Sequence, residues 1–494
     1  QVDQGTTRYS VAHPVLNFAA DKPVHTYELP GDCVLGPFAG DWFDAAQLYR
    51  KWAITAPWAH KGPIHQRKDY PDWLKRTPYF TIGALGDEND ITLEYAKHKF
   101  YDVPQHVAHT YNYYIMQHQD DKYPEHFPPK LGSANFKRIV HEMQTAGIHI
   151  VPYVNGWIWD QDTESYRTTN AAKDAILNRD GKPSLIMTSY GGGQSLVGMC
   201  PGTKQWRDQL LKISKELVGR YGVDGVYYDF LTIHTSDCYG KEHGHPIGGG
   251  NFWTHNVRET YALLRSEMKK LNPNVMLCGE DTAEWTIDLL DTGLEMGKAA
   301  TNAPLLLAVY GDYTNVFGGH SNSLDPVILG RVFLLGMQCG WYGPELMYAN
   351  NPSYAHLGKL YRKLIRCRWQ FAWPYLSMGR MLREPTITGE LPLLTSPTTY
   401  EDYRTKAVQA SAWMAPDGSV GIFILNHEDK PHDITWSIDL NEIAGLDASK
   451  ILTLTSWDED AGVAVIGKTQ GGIIQRQESM TPRGLIALKL EVAP

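Results

Sequence analysis

Two acidic residues close otherwise apolar, strand-like runs. In GVDGVYYDF, residues 222–230, Asp229 ends the run, and in NVMLCGED, residues 274–281, Glu280 does the same. About fifty residues and a helix-like segment separate them, as for neighbouring strands of a parallel sheet, so both carboxyl groups are expected to face one pocket. Glycoside hydrolysis needs such a pair. One carboxylate attacks or stabilises an oxocarbenium-like centre while ionised, and the other keeps a proton for the departing oxygen. A one-residue slip would exchange Asp281 for Glu280. The structural alternatives are a helix cap or an ion pair with a barrel arginine.

Tyr111, Asn155, Trp157, Tyr228, His234 and Asp312 sit at or just after expected strand ends and are the candidate substrate contacts. Trp157, Trp159, Trp253 and Trp285 suggest stacking platforms only as a group. The stretch HTSDCYGKEHGHPIGGG gathers His234, Asp237, Cys238, His243 and His245, and His243 and His245 could supply two of the three ligands of a catalytic zinc. The stretch has neither HExxH nor CxxC spacing, and Gly248, Gly249 and Gly250 suggest close backbone approach. Sugar contacts or loop packing are therefore preferred, and neither metal nor cofactor is expected. Gly191–Gly193 lacks the Lys and Ser or Thr of a phosphate loop, and no GxSxG elbow is present. His320, Arg331 and Glu345 lie where the strand register is not fixed and receive no role.

These residues require a frame, and the order of elements supplies one. Short β-rich runs at 79–85, 106–114, 148–157, 223–231 and 274–280 alternate with amphipathic helices, including one with Ser133 as N-cap and one from Thr203 to Gly222. Further on, APLLLAVYGDY is expected to give a sixth or seventh strand and MQCGWYG the last, with SLDPVILGRVFLLGM the helix between them. The beat predicts a (β/α)8 barrel. After about residue 380 only strands and turns remain, with Pro416, Asp417 and Gly418 as a hairpin turn, predicting a C-terminal antiparallel β sandwich. The expected domains are 1–75, a short N-terminal β segment, helix and linker left from a larger β domain; 76–378, the barrel; and 379–494, the sandwich.

GDWFDAAQLYRKWA, MCPGTKQWRDQL, GVDGVYYDF and CYGKEHGHPIGGGNFW resemble a bacterial family labelled as a domain of unknown function, over residues 36 to 375. More distantly the chain is similar to retaining barrel glycosidases, namely the endo-α-N-acetylgalactosaminidases and the α-amylase and α-galactosidase groups. The resemblance implies Asp229 as nucleophile, Glu280 as acid/base and α-linked substrates. α-Galactosidases take their acid/base from strand six, where this sequence offers no clear Asp, and that departure disfavours them. The resulting expectation is a retaining glycoside hydrolase acting on an oligosaccharide or glycoside. The alternatives are a non-hydrolytic sugar-binding barrel and a metal-dependent hydrolase.

Composition agrees with a sugar ligand and excludes other classes. The 494 residues carry a formal charge of −9, which disfavours nucleic acid, and no apolar run is long enough to span a membrane. Fifteen Trp and 28 Tyr suit flat sugar faces. The six cysteines are too scattered for a disulfide scaffold. A polysaccharide-directed role and a chain starting at Gln1 suggest an exported protein lacking an N-terminal portion.

Overall fold

The computed structural model describes residues 31–115, 121–188, 195–248, 250–295, 302–318, 325–342, 352–397 and 402–493, together with Glu28 and the short antiparallel pair Val2–Asp3 and Thr6–Thr7. Gly191–Gly193, Gly249, His320 and Glu345 fall outside the described residues.

Eight parallel strands form the barrel: β1 Tyr79–Ala84, β2 His106–Tyr111, β3 Ile148–Asn155, β4 Gly225–Asp229, β5 Met276–Glu280, β6 Thr292–Glu295, β7 Asn315–Gly318 and β8 Cys339–Tyr342. β8 pairs with β1, and a parallel bridge from Phe317 to Gln338 joins β7 to the approach of β8, closing the cylinder. Helices Glu88–Tyr101, Ser133–Thr145, Lys204–Lys215 and Phe252–Leu271 follow the first four strands. Their apolar faces cover the barrel, as Phe136, Ile139, Val140 and Met143 do from the second helix. That helix starts at Ser133 itself, so Ser133 is not its cap; its hydroxyl contacts Tyr221 instead.

The strand assignment of APLLLAVYGDY is corrected. Leu305–Tyr310 is a helix, and the sixth and seventh strands are the four-residue segments TGLE and NVFG on either side of it. A continuous apolar run fits a buried helix as well as a buried strand. Between β5 and β6 the chain makes only the 3-10 turn Glu284–Thr286, so the helical beat is interrupted there.

A three-stranded antiparallel sheet, Ile158–Asp160, Leu185–Thr188 and Ser195–Gly198, is inserted between β3 and its helix. The C-terminal region holds a six-stranded antiparallel sheet facing a three-stranded one, with Ile422, Ile424, Trp436, Leu452 and Leu490 buried in the core they share. A further apolar cluster joins barrel helices to the larger sheet, through Phe333, Leu364, Trp413 and Phe423. No helix among the described residues is long and apolar enough to cross a membrane.

Candidate active site

Strand alternation decides which side chains reach the barrel interior. Side chains on one strand alternate between faces, while residues in register on neighbouring strands share a face. Tyr153 pairs with Tyr227 and Asn155 with Asp229, and Tyr227 pairs with Cys278 of β5. Tyr153, Asn155, Tyr227, Asp229, Cys278 and Glu280 therefore point inward. Asp229 and Glu280 end adjacent strands, and their carboxyl groups face each other within hydrogen-bonding reach.

Asp229 is held at both oxygens. The Tyr153 hydroxyl donates to Oδ2 at 2.7 Å and the Tyr227 hydroxyl to Oδ1 at 3.0 Å. The Asn155 amide donates to the Tyr153 oxygen at 3.1 Å, and its own carbonyl accepts from the backbone N–H groups of Trp157 and Ile158. Asn155 thus fixes Tyr153, which fixes Asp229. Gly156 donates its N–H to the Asp229 carbonyl at 2.8 Å, and a Cβ at Gly156 would lie 2.8 Å from that oxygen, so the close approach of β3 to Asp229 needs glycine there.

Glu280 accepts from the Phe230 backbone N–H at 3.1 Å. Phe230 has φ 62° and Asp281 φ 52°. Side-chain-bearing residues in that left-handed region cost of order 1–3 kcal/mol each and cluster where a site demands them. Both follow directly on the two carboxylates.

Burial pushes Asp229 well above the usual carboxylate range, and the facing Glu280 charge adds to this, while the two tyrosine hydroxyls pull it back. The sequence reading expects the elevation on Glu280; in the structure it falls on Asp229. Repulsion between the two groups is mutual and disfavours their being ionised together.

The other candidates divide. Tyr111 stacks on Tyr153, 4.8 Å between centroids, and belongs to the same wall. Trp157 lies against His234 at 4.3 Å, and His234 in turn stacks on Phe230. Trp157 is only 6% exposed, so it packs into the wall with one face covered by His234. Burial lowers the His234 pKa, which favours the neutral ring. Two candidates lie elsewhere. Tyr228 is on the opposite face of β4 from Asp229, its hydroxyl 2.7 Å from Ser214 Oγ on helix Lys204–Lys215. Asp312 precedes β7, at the amino ends of the strands, and forms a bidentate pair with Arg50 at 2.8 and 2.7 Å. Its placement fails because the segment expected to lead into it as a strand is helical.

Sequence reasoning missed Tyr153, Tyr227 and His109. Each stands two residues before a named candidate, so the period-two rule applied backward from Asn155, Asp229 and Tyr111 would have found them. His109 is buried under this wall, 4.2 Å from the Tyr227 ring, with both ring nitrogens unpartnered among the described residues. Burial drops its pKa to about 3, so it is neutral at ordinary pH. Beside it on β1, Ile82, in register with His109, keeps 37% of its surface accessible. A separate cleft of about 660 Å3 runs between helix Trp42–Ala53 and the sandwich, lined by Arg380, Arg383 and Glu384, and contains none of these groups.

Within the zinc reading, the structure brings Cys238, His243 and His245 together and leaves His234 and Asp237 out. The fourth member of the group is Cys200, from the inserted sheet. All six cysteines are free.

A closed parallel barrel with paired carboxyls at the carboxyl ends of β4 and β5 places the chain among (β/α)8 barrels built in the manner of glycosidases. A maltogenic α-amylase of Thermotoga neapolitana superposes with TM-score 0.55 at 10% identity, covering 85% of this chain and 100% of that one. The α-N-acetylgalactosaminidase NagBb of Bifidobacterium bifidum gives 0.54 at 12%, over 77% and 61%. A GH36 α-galactosidase of Geobacillus stearothermophilus gives 0.53 at 11%, over 91% and 59%. At such identities the likeness is one of fold. The chain belongs to the family described as "Domain of unknown function (DUF6259)", whose model matches residues 27–321. It is 30% identical over 421 residues to a Bacteroides thetaiotaomicron protein named "Putative glycoside hydrolase", covering 82% of this chain and 60% of that protein. A Monosiga brevicollis protein bearing the same name with a number is 26% identical over 449 residues, covering 79% and 36%. The chain thus spans less than two thirds of the length of either relative.

Proposed function

We propose that this protein is a retaining glycoside hydrolase acting on an α-linked glycoside, with Asp229 as nucleophile and Glu280 as acid/base. The observation that carries the reading is the facing of buried Asp229 and half-buried Glu280 from adjacent strand ends. Inversion needs about 6.5–9.5 Å between the carboxyls to admit a water, whereas double displacement works at about 5–5.5 Å. Asp229 and Glu280 end adjacent parallel strands, whose spacing of about 4.8 Å suits the shorter separation.

The donors around Asp229 support the division of roles. Two O–H bonds favour the ionised form of Asp229 against the burial that raises it, so the attacking anion is assigned to Asp229 and the proton to Glu280 once substrate is bound. Glu280 passes that proton to the leaving oxygen as Asp229 attacks the anomeric carbon. In the glycosyl ester Asp229 carries no charge, the repulsion on Glu280 disappears, and Glu280 accepts a proton from the incoming water. The names of the relatives and the folds of the solved glycosidases support the same class, and the α linkage rests on those neighbours. The domain division at 75/76 and 378/379 belongs to this proposal, as do Tyr111, Asn155, Trp157 and His234 around the substrate.

The test is a panel of α- and β-glycosides with NMR detection of the first-formed anomer. Retention is expected on an α-glycoside, and Asp229→Asn should lose at least about 10⁴-fold in turnover. A product of inverted configuration would refute the nucleophile assignment. Sugar binding without turnover across the panel would favour a binding protein instead.

A further inference from the structure

Cys200, Cys238, His243 and His245 come from two separated parts of the chain and meet in one place. Cys200 lies two residues past the last strand of the sheet inserted after β3, Ser195–Gly198, where the Met199 N–H donates to the Trp157 carbonyl at 2.8 Å. The other three lie on the loop after β4. One ligand atom from each residue lies within 4.8 Å of all the others. Cys200 Sγ is 3.1 Å from His245 Nε2, and Cys238 Sγ is 3.2 Å from His243 Nδ1. Bonds of about 2.3 Å to sulfur and 2.0–2.1 Å to nitrogen, at tetrahedral angles, require ligand-to-ligand spacings of roughly 3.3–3.8 Å. The two close sulfur–nitrogen pairs open slightly and the wider spacings, none above 4.8 Å, close to reach these values.

The outer nitrogens are already engaged as metal-bound imidazoles require. His243 Nε2 is 2.7 Å from the Lys173 carbonyl and His245 Nδ1 is 2.9 Å from the Pro246 carbonyl. A ring that donates its proton to a carbonyl on one side presents a lone pair on the other, and such carbonyl partners hold ligating histidines in orientation. Gly240 and Gly202 leave room for the rings, since a Cβ would lie 2.3 Å from the His243 ring at the first and 2.8 Å from His245 Cδ2 at the second. Cys200, Cys238 and His243 are buried, and His245 is stacked on Phe252 at 3.9 Å. Two thiolates, two neutral imidazoles and a divalent ion sum to zero charge, which suits a buried position.

We propose that these four residues bind one Zn²⁺ as a closed, structural Cys2His2 site that pins the loop after β4 to the inserted sheet. Four protein ligands leave no open position for a water, so the ion is separate from the carboxylate chemistry, and the inference stands independently of the glycosidase reading. Soft sulfur paired with imidazole selects zinc over the hard cations that prefer oxygen. Both thiols lose their protons to solvent on binding. The loop and sheet so joined also carry His234 and Trp157, which form the wall beside Asp229.

The experiment is elemental analysis of the full chain, expressed without a histidine tag and freed of loose metal by gel filtration. One zinc per chain is expected. Cobalt added to chelator-stripped protein should give the thiolate charge-transfer band and the strong visible bands of a tetrahedral site. In the Cys200→Ser/Cys238→Ser variant, zinc content should fall at least tenfold; if that variant does not fold, the cobalt spectrum of the unaltered chain decides. The proposal is overturned by zinc below about one tenth per chain, by iron or copper in its place, by a Cys200–Cys238 disulfide in mass spectrometry, by the weak spectrum of octahedral cobalt, or by zinc persisting in the double-serine variant.

Discussion

Replacing Tyr153 by Phe removes one oxygen and tests what favours the ionised form of Asp229 against its burial. The hydroxyl donates to Asp229 Oδ2 at 2.7 Å in a buried setting. A hydrogen bond to a charged group contributes about 1.5–3 kcal/mol, and each pKa unit corresponds to about 1.4 kcal/mol, so its loss raises the ionisation of the carboxyl pair by roughly 1–2 units. The sign follows from the donor: an O–H favours the anion, and removing it favours the proton. With Asp229 as nucleophile, the acid limb of kcat/KM against pH reports that ionisation in the free enzyme, and it should move to higher pH by about 1–2 units. Activity on the alkaline side of that limb should fall far less, because Tyr227 still holds Oδ1 at 3.0 Å. The assay is the pH dependence of aryl glycoside hydrolysis by wild type and Tyr153→Phe, with circular dichroism to establish folding. A folded variant whose acid limb coincides with that of wild type would refute the argument that tyrosine donors set the nucleophile.

Tyr228→Phe is the matched control: its hydroxyl meets Ser214 outside the barrel, so about 1 kcal/mol of stability is lost with the pH profile unmoved, as urea titration and kinetics would show. Asp312→Asn should lower stability by about 2–3 kcal/mol, short of the roughly 3–5 of a fully buried pair, because the Arg50 and Asp312 side chains are 12% and 13% exposed. Its turnover should match wild type, and a catalytic defect beyond threefold would return Asp312 to the site. Glu295, raised to about 7 by burial and then by Asp281, gives a pH-dependent prediction. Its contribution is fully present below the unfolded value near 4.5 and is lost as pH rises through about 7, so Glu295→Gln should gain on wild type by up to about 3 kcal/mol between pH 5 and pH 8 in denaturant titrations. A constant difference across that range would contradict the assignment.

The barrel was legible because a helix of 12 to 20 residues follows each of the first four strands, and its amphipathic period survives in a single sequence. The count was lost after β5, where a 3-10 turn replaces the helix and β6 and β7 shrink to four residues, too short for any period to register. Asp229 and Glu280 were readable because each ends an apolar run with a charge. Tyr228 was misplaced and Tyr227 overlooked because two adjacent tyrosines carry no mark of which faces inward; only the parity with Asp229 distinguishes them. Cys200 could not be joined to Cys238 by spacing, since 37 residues of helix, strand and loop lie between them and the fold alone closes that gap.

The two ends of the barrel treat acidic residues in opposite ways, and this separates stability from chemistry. At the amino ends, Asp224, Asp291 and Asp312 precede β4, β6 and β7, and each is given donors. Asp224 accepts from the Ile150 N–H and the Gln144 amide, Asp291 from Arg265 and the Leu277 N–H, and Asp312 from Arg50. Burial alone would raise Asp291, but the charges of Arg265 and Lys269 outweigh it and hold the carboxyl below its ordinary range. At the carboxyl ends carboxyl faces carboxyl, Asp229 against Glu280 and Asp281 against Glu295, and both resolved shifts are upward. Mutual repulsion, left-handed backbone at Phe230 and Asp281 and the unpartnered His109 all destabilise that end. Around Asp229 the donors are the neutral hydroxyls of Tyr153 and Tyr227 rather than cations; in the proposed double displacement the acid/base proton passes to the leaving oxygen and not to Asp229, so this end must hold its two carboxyls in different protonation states.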